Sequence, residues 1–255
     1  MQDASRALRA YILAVIASGF VILAYSYYLL GFDKKPLLML FLFAICVAFF
    51  ESIKMVYPSG EALSLSSGVV LAVIWTYGFW AAACVDAVGA LLGGLARKAP
   101  LINIAFNMSQ FALSIAGAGI LFLILMDNLP QTNPVLRFLP YLLSGVAFFL
   151  LNSTFVYVWL AFRKQISLQR IWRERLGEAV PRWSVSLLLG LVLASFQESF
   201  GNVYLLLVLL LIGVQHLLLR LFYKLSHDRL TSSLLEWTAS REEPLRGHSD
   251  RVTKL

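Results

Sequence analysis

Asp86 stands midway along an apolar run, ACVDAVGALLGG. An ionisable side chain at bilayer depth costs roughly 2.5–3.5 kcal/mol on insertion scales, so it normally faces a bundle interior or a cavity. Two readings stay open for it: contact with a ligand or ion, or an acid paired inside a helix bundle. A second polar set follows. Asn103, Asn107, Gln110 and Ser114 recur at helical spacing and line one stripe of a helix. Such a stripe could read a polar ligand, or hydrogen-bond neighbouring helices for roughly 0.6–2 kcal/mol per contact. Ala112, Ala116, Gly117, Ala118 and Gly119 nearby favour close helix packing.

The other chemistry-bearing residues are more scattered. Glu51 and Glu198 fall at the ends of apolar runs, where interfacial water solvates a carboxylate. His216, beside Gln215, sits inside an apolar run and reads as a packing residue that hydrogen-bonds a neighbour. Cys46 and Cys84 have no metal-type spacing, so they read as buried free thiols rather than a disulfide.

The elements that must position these residues are membrane spans. The chain has 255 residues, 60% hydrophobic and 14% charged, with a mean hydropathy of +0.78. A soluble domain would show roughly 45–50% apolar and about 25% charged residues. The excess comes in runs of about 17 to 22 residues, enough to cross a hydrocarbon core of roughly 30 Å. The fold class is therefore all-α, a polytopic transmembrane helix bundle with a cytosolic helical tail. The first apolar run is too long for the core of a signal peptide and other spans follow, so it reads as a retained helix.

Spans are expected over about 10–30, 36–53, 101–126, 135–162, 183–196 and 202–223. The apolar run from Ser64 to Leu95 is long for one span and short for two. Splitting it near Gly78 gives helices over 63–77 and 79–95, and eight spans in all. A single tilted helix would give seven. With eight spans and the N-terminus inside, Arg6, Arg9, Lys54, Arg97, Lys98, the Arg163–Arg182 cluster, Arg220 and Lys224 are cytoplasmic. Only Lys34, Lys35 and Arg137 then lie outside. The C-terminus is cytoplasmic under either count. The net charge of +7 is thus an orientation signal rather than a nucleic-acid footprint, and no nucleic-acid polymer is expected as a partner.

Past Tyr223 the sequence has no Pro or Gly until Pro244, and Leu230, Leu234 and Trp237 form a short amphipathic stripe. A helix over 223–240 would suit transmission of motion, or a homodimer. The organisation expected is a membrane bundle over 1–222, this transmission helix, and a cytosolic segment over 241–255.

Two parts of the chain resemble known families. The block from Ser64 to Phe122, with its basic turn and a helix carrying Phe106, Asn107 and Gln110, looks like membrane regions upstream of bacterial cyclic-dinucleotide signalling domains. More faintly, it is similar to the substrate-binding components of energy-coupling-factor vitamin transporters. The tail LLEWTASREEPLRGHSDRVTKL resembles the opening of HD-GYP phosphohydrolases, which carry a Gly-His-Ser-x-Arg-Val segment, here Gly247 to Val252. That resemblance implies that His248 belongs to a centre of divalent metal ions and that the intact protein hydrolyses a phosphodiester, cyclic-di-GMP. The family's His-Asp dipeptide, later histidines and Gly-Tyr-Pro motif do not occur after this segment. His227–Asp228 precedes it and reads as a solvated helix face. One histidine cannot hold a catalytic metal, so these 255 residues alone are expected to be inactive.

The leading functional reading is a sensor or anchor in a bacterial inner membrane. It would take a small-molecule signal through Asp86, Asn103, Asn107 and Gln110 and bias an HD-type phosphohydrolase. The alternative is a transporter or ligand-capture component using the same residues. The chain has no GxxxxGK[ST] loop, and the cytosolic GHSDRV segment favours signalling.

Overall fold

The computed structural model describes residues 6–30, 37–52, 55–56, 62–63, 65–130, 133–200 and 213. The chain divides into two compact units, Met1–Val208 and Leu209–Leu255; every element below belongs to the first. The described residues form seven helices: α1 (Arg6–Leu30), α2 (Leu37–Ser52), α3 (Ser66–Tyr77), α4 (Phe79–Ala96), α5 (Leu101–Asn128), α6 (Pro134–Lys164) and α7 (Leu168–Phe200). Between α2 and α3, Met55–Val56 and Ala62–Leu63 pair as a two-residue antiparallel ladder. Five of the helices (α1, α4, α5, α6 and the Ala179–Gln197 part of α7) are long and apolar enough to cross a membrane. The expected eighth span lies outside the described residues, apart from residue 213.

Successive helices run in opposite directions. Ser66 at the start of α3 meets Glu51 at the end of α2, while the Phe43 and Tyr77 rings meet at the other end. Gly89 abuts Val47 and Gly93 abuts Glu51, so α2 and α4 run parallel. Gly119 lies on Phe79 and Gly94 on Ile104, which makes α4 and α5 antiparallel. Hence α3 and α4 double back on each other, and a single residue makes the turn. Gly78 has φ +87° and ψ 160°, a backbone region essentially restricted to glycine. The apolar run from Ser64 to Leu95 is two antiparallel helices, not one tilted helix.

The shortness of α3 has a reason. Its 12 residues reach about 18 Å, less than a hydrocarbon core of roughly 30 Å. Every residue from Gly68 to Trp75 is buried, as expected for a helix apolar all round. α3 therefore forms the middle of the bundle, packed against α2, α4 and α7. Small residues let the backbones approach: Gly68 meets Ser186 and Leu189, and Gly190 meets Leu71 and Trp75. Large apolar side chains such as Leu13, Phe20, Val21, Leu38, Leu101 and Leu188 point outward, a surface that suits lipid.

α7 begins at Leu168, well before the expected start at Trp183. Its 33 residues make about 50 Å of helix, more than a bilayer core needs. Of the basic cluster expected ahead of the Trp183 span, Arg163 and Lys164 end α6 and the part from Leu168 onward forms the first turns of α7. Ser167 caps it, its Oγ accepting from the Arg170 amide at 3.4 Å. Ile171 is buried, and the Trp172 ring packs edge-on to Tyr157. Pro181 stands inside the helix. The ends of α4 and α6 share one device, a left-handed residue after the last turn, Lys98 and Gln165, each at φ 56°. Ala99 N–H then bonds Gly94 O at 3.0 Å, and Ile166 N–H bonds Ala161 O at 3.3 Å, closing off the last carbonyls.

Candidate functional site

Two polar constructions stand at opposite ends of this bundle. The first joins the ends of α2 and α4 to the start of α3. Glu51 is only 3% exposed. Ser66 Oγ donates to its Oε1 at 2.8 Å, and Arg97 Nη2 stands 3.5 Å from its Oε2. Arg97 Nε also donates to Gly93 O at 3.2 Å, so the guanidinium closes the C-terminal carbonyls of α4 as it meets the acid. A cation there is favoured by the helix dipole. Burying the acid needs this partnership, because an uncompensated buried charge is costly. The arrangement locks three helices together at one end; it offers no nucleophile or base to a substrate. The sequence reading left Glu51 in interfacial water. Its burial depends on Ser66 and Gly93 from two other helices, and no local pattern signals that.

The second construction is a cavity of 530 Å³ at the other end, between α3, α6 and α7. Trp75 and Tyr141 form its aromatic wall, their rings 5.4 Å apart and edge-to-face. Phe122 extends the cluster, 5.2 Å from Tyr141. The Trp75 indole N–H is spent on Ser144 Oγ at 3.0 Å, and Ser144 Oγ in turn donates to Tyr141 O at 3.2 Å. The two hydrogen bonds hold the wall in place. Thr76 lines the cavity too, but its hydroxyl donates to Ala72 O at 2.7 Å. Gln197 lines the opposite wall and hydrogen-bonds Tyr77. Arg137, in the first turn of α6, is the one charged residue among the described residues that line it.

The residues singled out from sequence lie elsewhere. Asp86 is buried in α4, 2% exposed. On α5, Asn103 is exposed, Asn107 half-buried and Gln110 buried, so the stripe runs from the end of the helix into the interior. Ser114 Oγ donates to Gln110 O at 2.7 Å along its own helix. Antiparallel packing of α4 on α5 puts Asp86 and Gln110 at similar depth, while Asn103 lies near the Arg97 end. None of these five lines the cavity. The cavity residues were missed because Trp75, Arg137 and Ser195 belong to three separate runs and only the alternation of helices brings them together. Among the described residues no three His, Cys, Asp or Glu side chains converge as a metal site. His216 and His248 lie outside the described residues, and so does the side chain of Glu198.

The described residues thus form an apolar helix bundle, five of whose helices are long enough to cross a membrane, with a buried ionic tie at one end and a cavity at the other. The model of MASE9, a family of membrane-associated sensor domains, matches residues 20–221. The chain belongs to the MASE9 family. No curated protein and no solved structure matches it.

Proposed function

We propose that this chain is the membrane sensory and anchoring module of an HD-type phosphohydrolase, a cyclic-di-GMP phosphodiesterase in the intact protein. The observation that carries the reading is one of order along the chain. The sensor-family match ends at residue 221, and the Gly-His-Ser-Asp-Arg-Val segment follows at Gly247 to Val252. In this reading eight spans cross a bacterial inner membrane with both termini in the cytoplasm. Residues 223–240 form a transmission helix that pairs with its copy in a homodimer. His248 is one ligand of divalent metal ions, completed by a following HD domain. Those ions would supply the activated water for phosphodiester hydrolysis.

The bundle acts by changing the position of its last helix. A signal can do that only if it binds two states of the bundle with different affinity. Asp86, Asn103, Asn107 and Gln110 remain candidate contacts for the signal or for the helix interfaces that move. Two measurements test the reading. Sequencing the coding region past Leu255 should show an HD domain in frame, and a stop codon there would leave only the membrane module. Phosphodiesterase assays of the extended protein should show altered signal response in Asp86→Asn or Asn107→Ala. An unchanged response in both would remove these residues from sensing.

A further inference from the structure

The corner where α6 gives way to α7 is strongly basic. Residues 163–182 hold six Arg or Lys and two Glu. Arg163 and Lys164 end α6, Arg170 and Arg173 stand in the opening turns of α7, and all four are exposed. The short connection from Lys164 to Leu168 brings the two sets together. The Glu174 carboxyl, lowered first by its hydrogen bond from Arg170, is lowered further by the charges of Arg175 and Lys164. The cation that ends α6 therefore acts on the opening of α7.

These charges adjoin a surface that suits acyl chains. Arg173, Leu176 and Val180 share one face of α7, and Leu176 and Val180 are 43% and 45% exposed. The apolar, span-length part of the helix begins at Ala179, which leaves Arg173 about 9 Å of helix beyond it. The headgroup layer on each side of a bilayer is roughly 5–8 Å deep, and a long basic side chain reaches back along the helix to span the difference. On α6, Phe162 is exposed beside Arg163, whose guanidinium lies over the Trp159 ring, 5.1 Å from its centroid. Tryptophan is favoured at headgroup level, so this pair suits the boundary between charge and hydrocarbon.

We propose that this corner binds the headgroups of anionic phospholipids in the membrane that the chain occupies. Arg163, Lys164 and Arg173 hold the phosphate, while Phe162, Leu176 and Val180 meet the first methylenes of the acyl chains. Guanidinium groups take phosphate oxygens through a fork of N–H donors, and each basic residue near an anionic surface adds to the attraction. A soluble acidic peptide or a nucleic acid would satisfy the cations but leave Leu176 and Val180 in water. A lipid bound here would tie the end of α6 to the opening of α7. The site needs the membrane character of the chain and not the phosphohydrolase reading.

The test compares two lipids that differ in headgroup charge. Dioctanoyl phosphatidylglycerol and dioctanoyl phosphatidylcholine are titrated into the full chain in neutral detergent, with binding followed by thermophoresis of the labelled protein. The expected result is saturable binding of phosphatidylglycerol that phosphatidylcholine does not match and that added salt weakens. Arg163→Gln, Lys164→Gln and Arg173→Gln together should weaken it roughly 100-fold, about 5-fold per charge. Arg163→Lys with Arg173→Lys should keep most of it. Leu176→Asn with Val180→Asn, which leaves the charges in place, should also weaken it. Equal binding of the two lipids would overturn the site, as would equal phosphatidylglycerol binding by wild type and the triple Gln variant with helix content retained. A hexaglutamate peptide that bound as tightly as the lipid, with the two Asn substitutions affecting neither ligand, would assign the corner to an acidic partner and overturn it as well. These titrations need no phosphodiesterase output, so their failure is distinct from failure of the phosphohydrolase reading.

Discussion

Arg97 reaches across from α4 to place Nη2 3.5 Å from Oε2 of Glu51, an acid buried at the end of α2 and already bonded by Ser66 of α3. Three helices thus share one charged knot, and its loss should be felt by all of them. Removing one partner of a fully buried pair costs about 3–5 kcal/mol. The Arg97 side chain is 31% exposed, so solvent screening reduces the cost of Arg97→Gln to about 1–3 kcal/mol. Glu51→Gln, which leaves a hydrogen-bonding amide beside Ser66, should cost less. A double-mutant cycle on thermal or denaturant unfolding in detergent should give a favourable coupling between the two residues. Strict additivity would show that the pair is not coupled.

The turn at Gly78 isolates backbone strain from packing. A Cβ built there would meet nothing within 4 Å, yet φ is +87°. Gly78→Ala should therefore destabilise by about 1–3 kcal/mol through the backbone alone. Gly177, inside α7, also has open space around it. Gly177→Ala should stabilise by about 0.5–1 kcal/mol through helix propensity. Opposite signs from two sterically free glycines are the signature sought, and like signs would contradict the turn.

Close helix approach makes a further demand. A Cβ added at Gly93 would stand 2.6 Å from Glu51 Cβ and 3.0 Å from Ala48 O. Gly93→Val should push α2 from α4 and cost about 1–3 kcal/mol. The shift should also loosen the Glu51–Arg97 contact, so Arg97→Gln should cost less in the Gly93→Val background than in wild type.

The basic opening of α7 should respond to pH in a defined direction. Arg170 Nε donates to Glu174 Oε1 at 2.7 Å. That hydrogen bond, above other causes, holds the Glu174 carboxyl below its ordinary value of 4.5. A carboxyl lowered in the folded state supports that state above its unfolded pKa and ceases to do so as pH falls through the folded value. Both side chains are exposed, so the effect is local, small and screened by salt. Hydrogen exchange over 168–178 should be faster in Glu174→Gln than in wild type at pH 7, and the gap should close as acidification protonates the carboxyl. A gap unchanged by acidification would place its cause elsewhere.

Much of the bundle was legible because hydrocarbon imposes its length on the sequence. The break at Gly78 follows from an apolar run too long for one span, together with a residue that tolerates positive φ. The start of α7 was not legible in the same way. Hydropathy marks where lipid begins, whereas Leu168 starts a helix that runs outside the lipid zone with Arg170, Arg173 and Arg175 in its first turns. Ser167, a capping residue, was the available signal. The polar stripe from Asn103 to Ser114 is periodic as read, but burial along it is uneven because its Asn103 end emerges from the bundle. Neither the Glu51–Arg97 tie nor the Trp75–Arg137 cavity has a local pattern. Each is assembled from three helices, and only their alternating directions bring the members together.

Under the proposed function, a MASE9 membrane module precedes a metal-dependent phosphohydrolase that opens near His248. Its most direct test is cyclic-di-GMP hydrolysis by the protein extended past Leu255, in membrane vesicles supplied with divalent metal. The expected result is metal-dependent hydrolysis by wild type that His248→Ala abolishes, with membrane insertion unchanged. Absence of hydrolysis in wild type, or a full rate in His248→Ala, would contradict it.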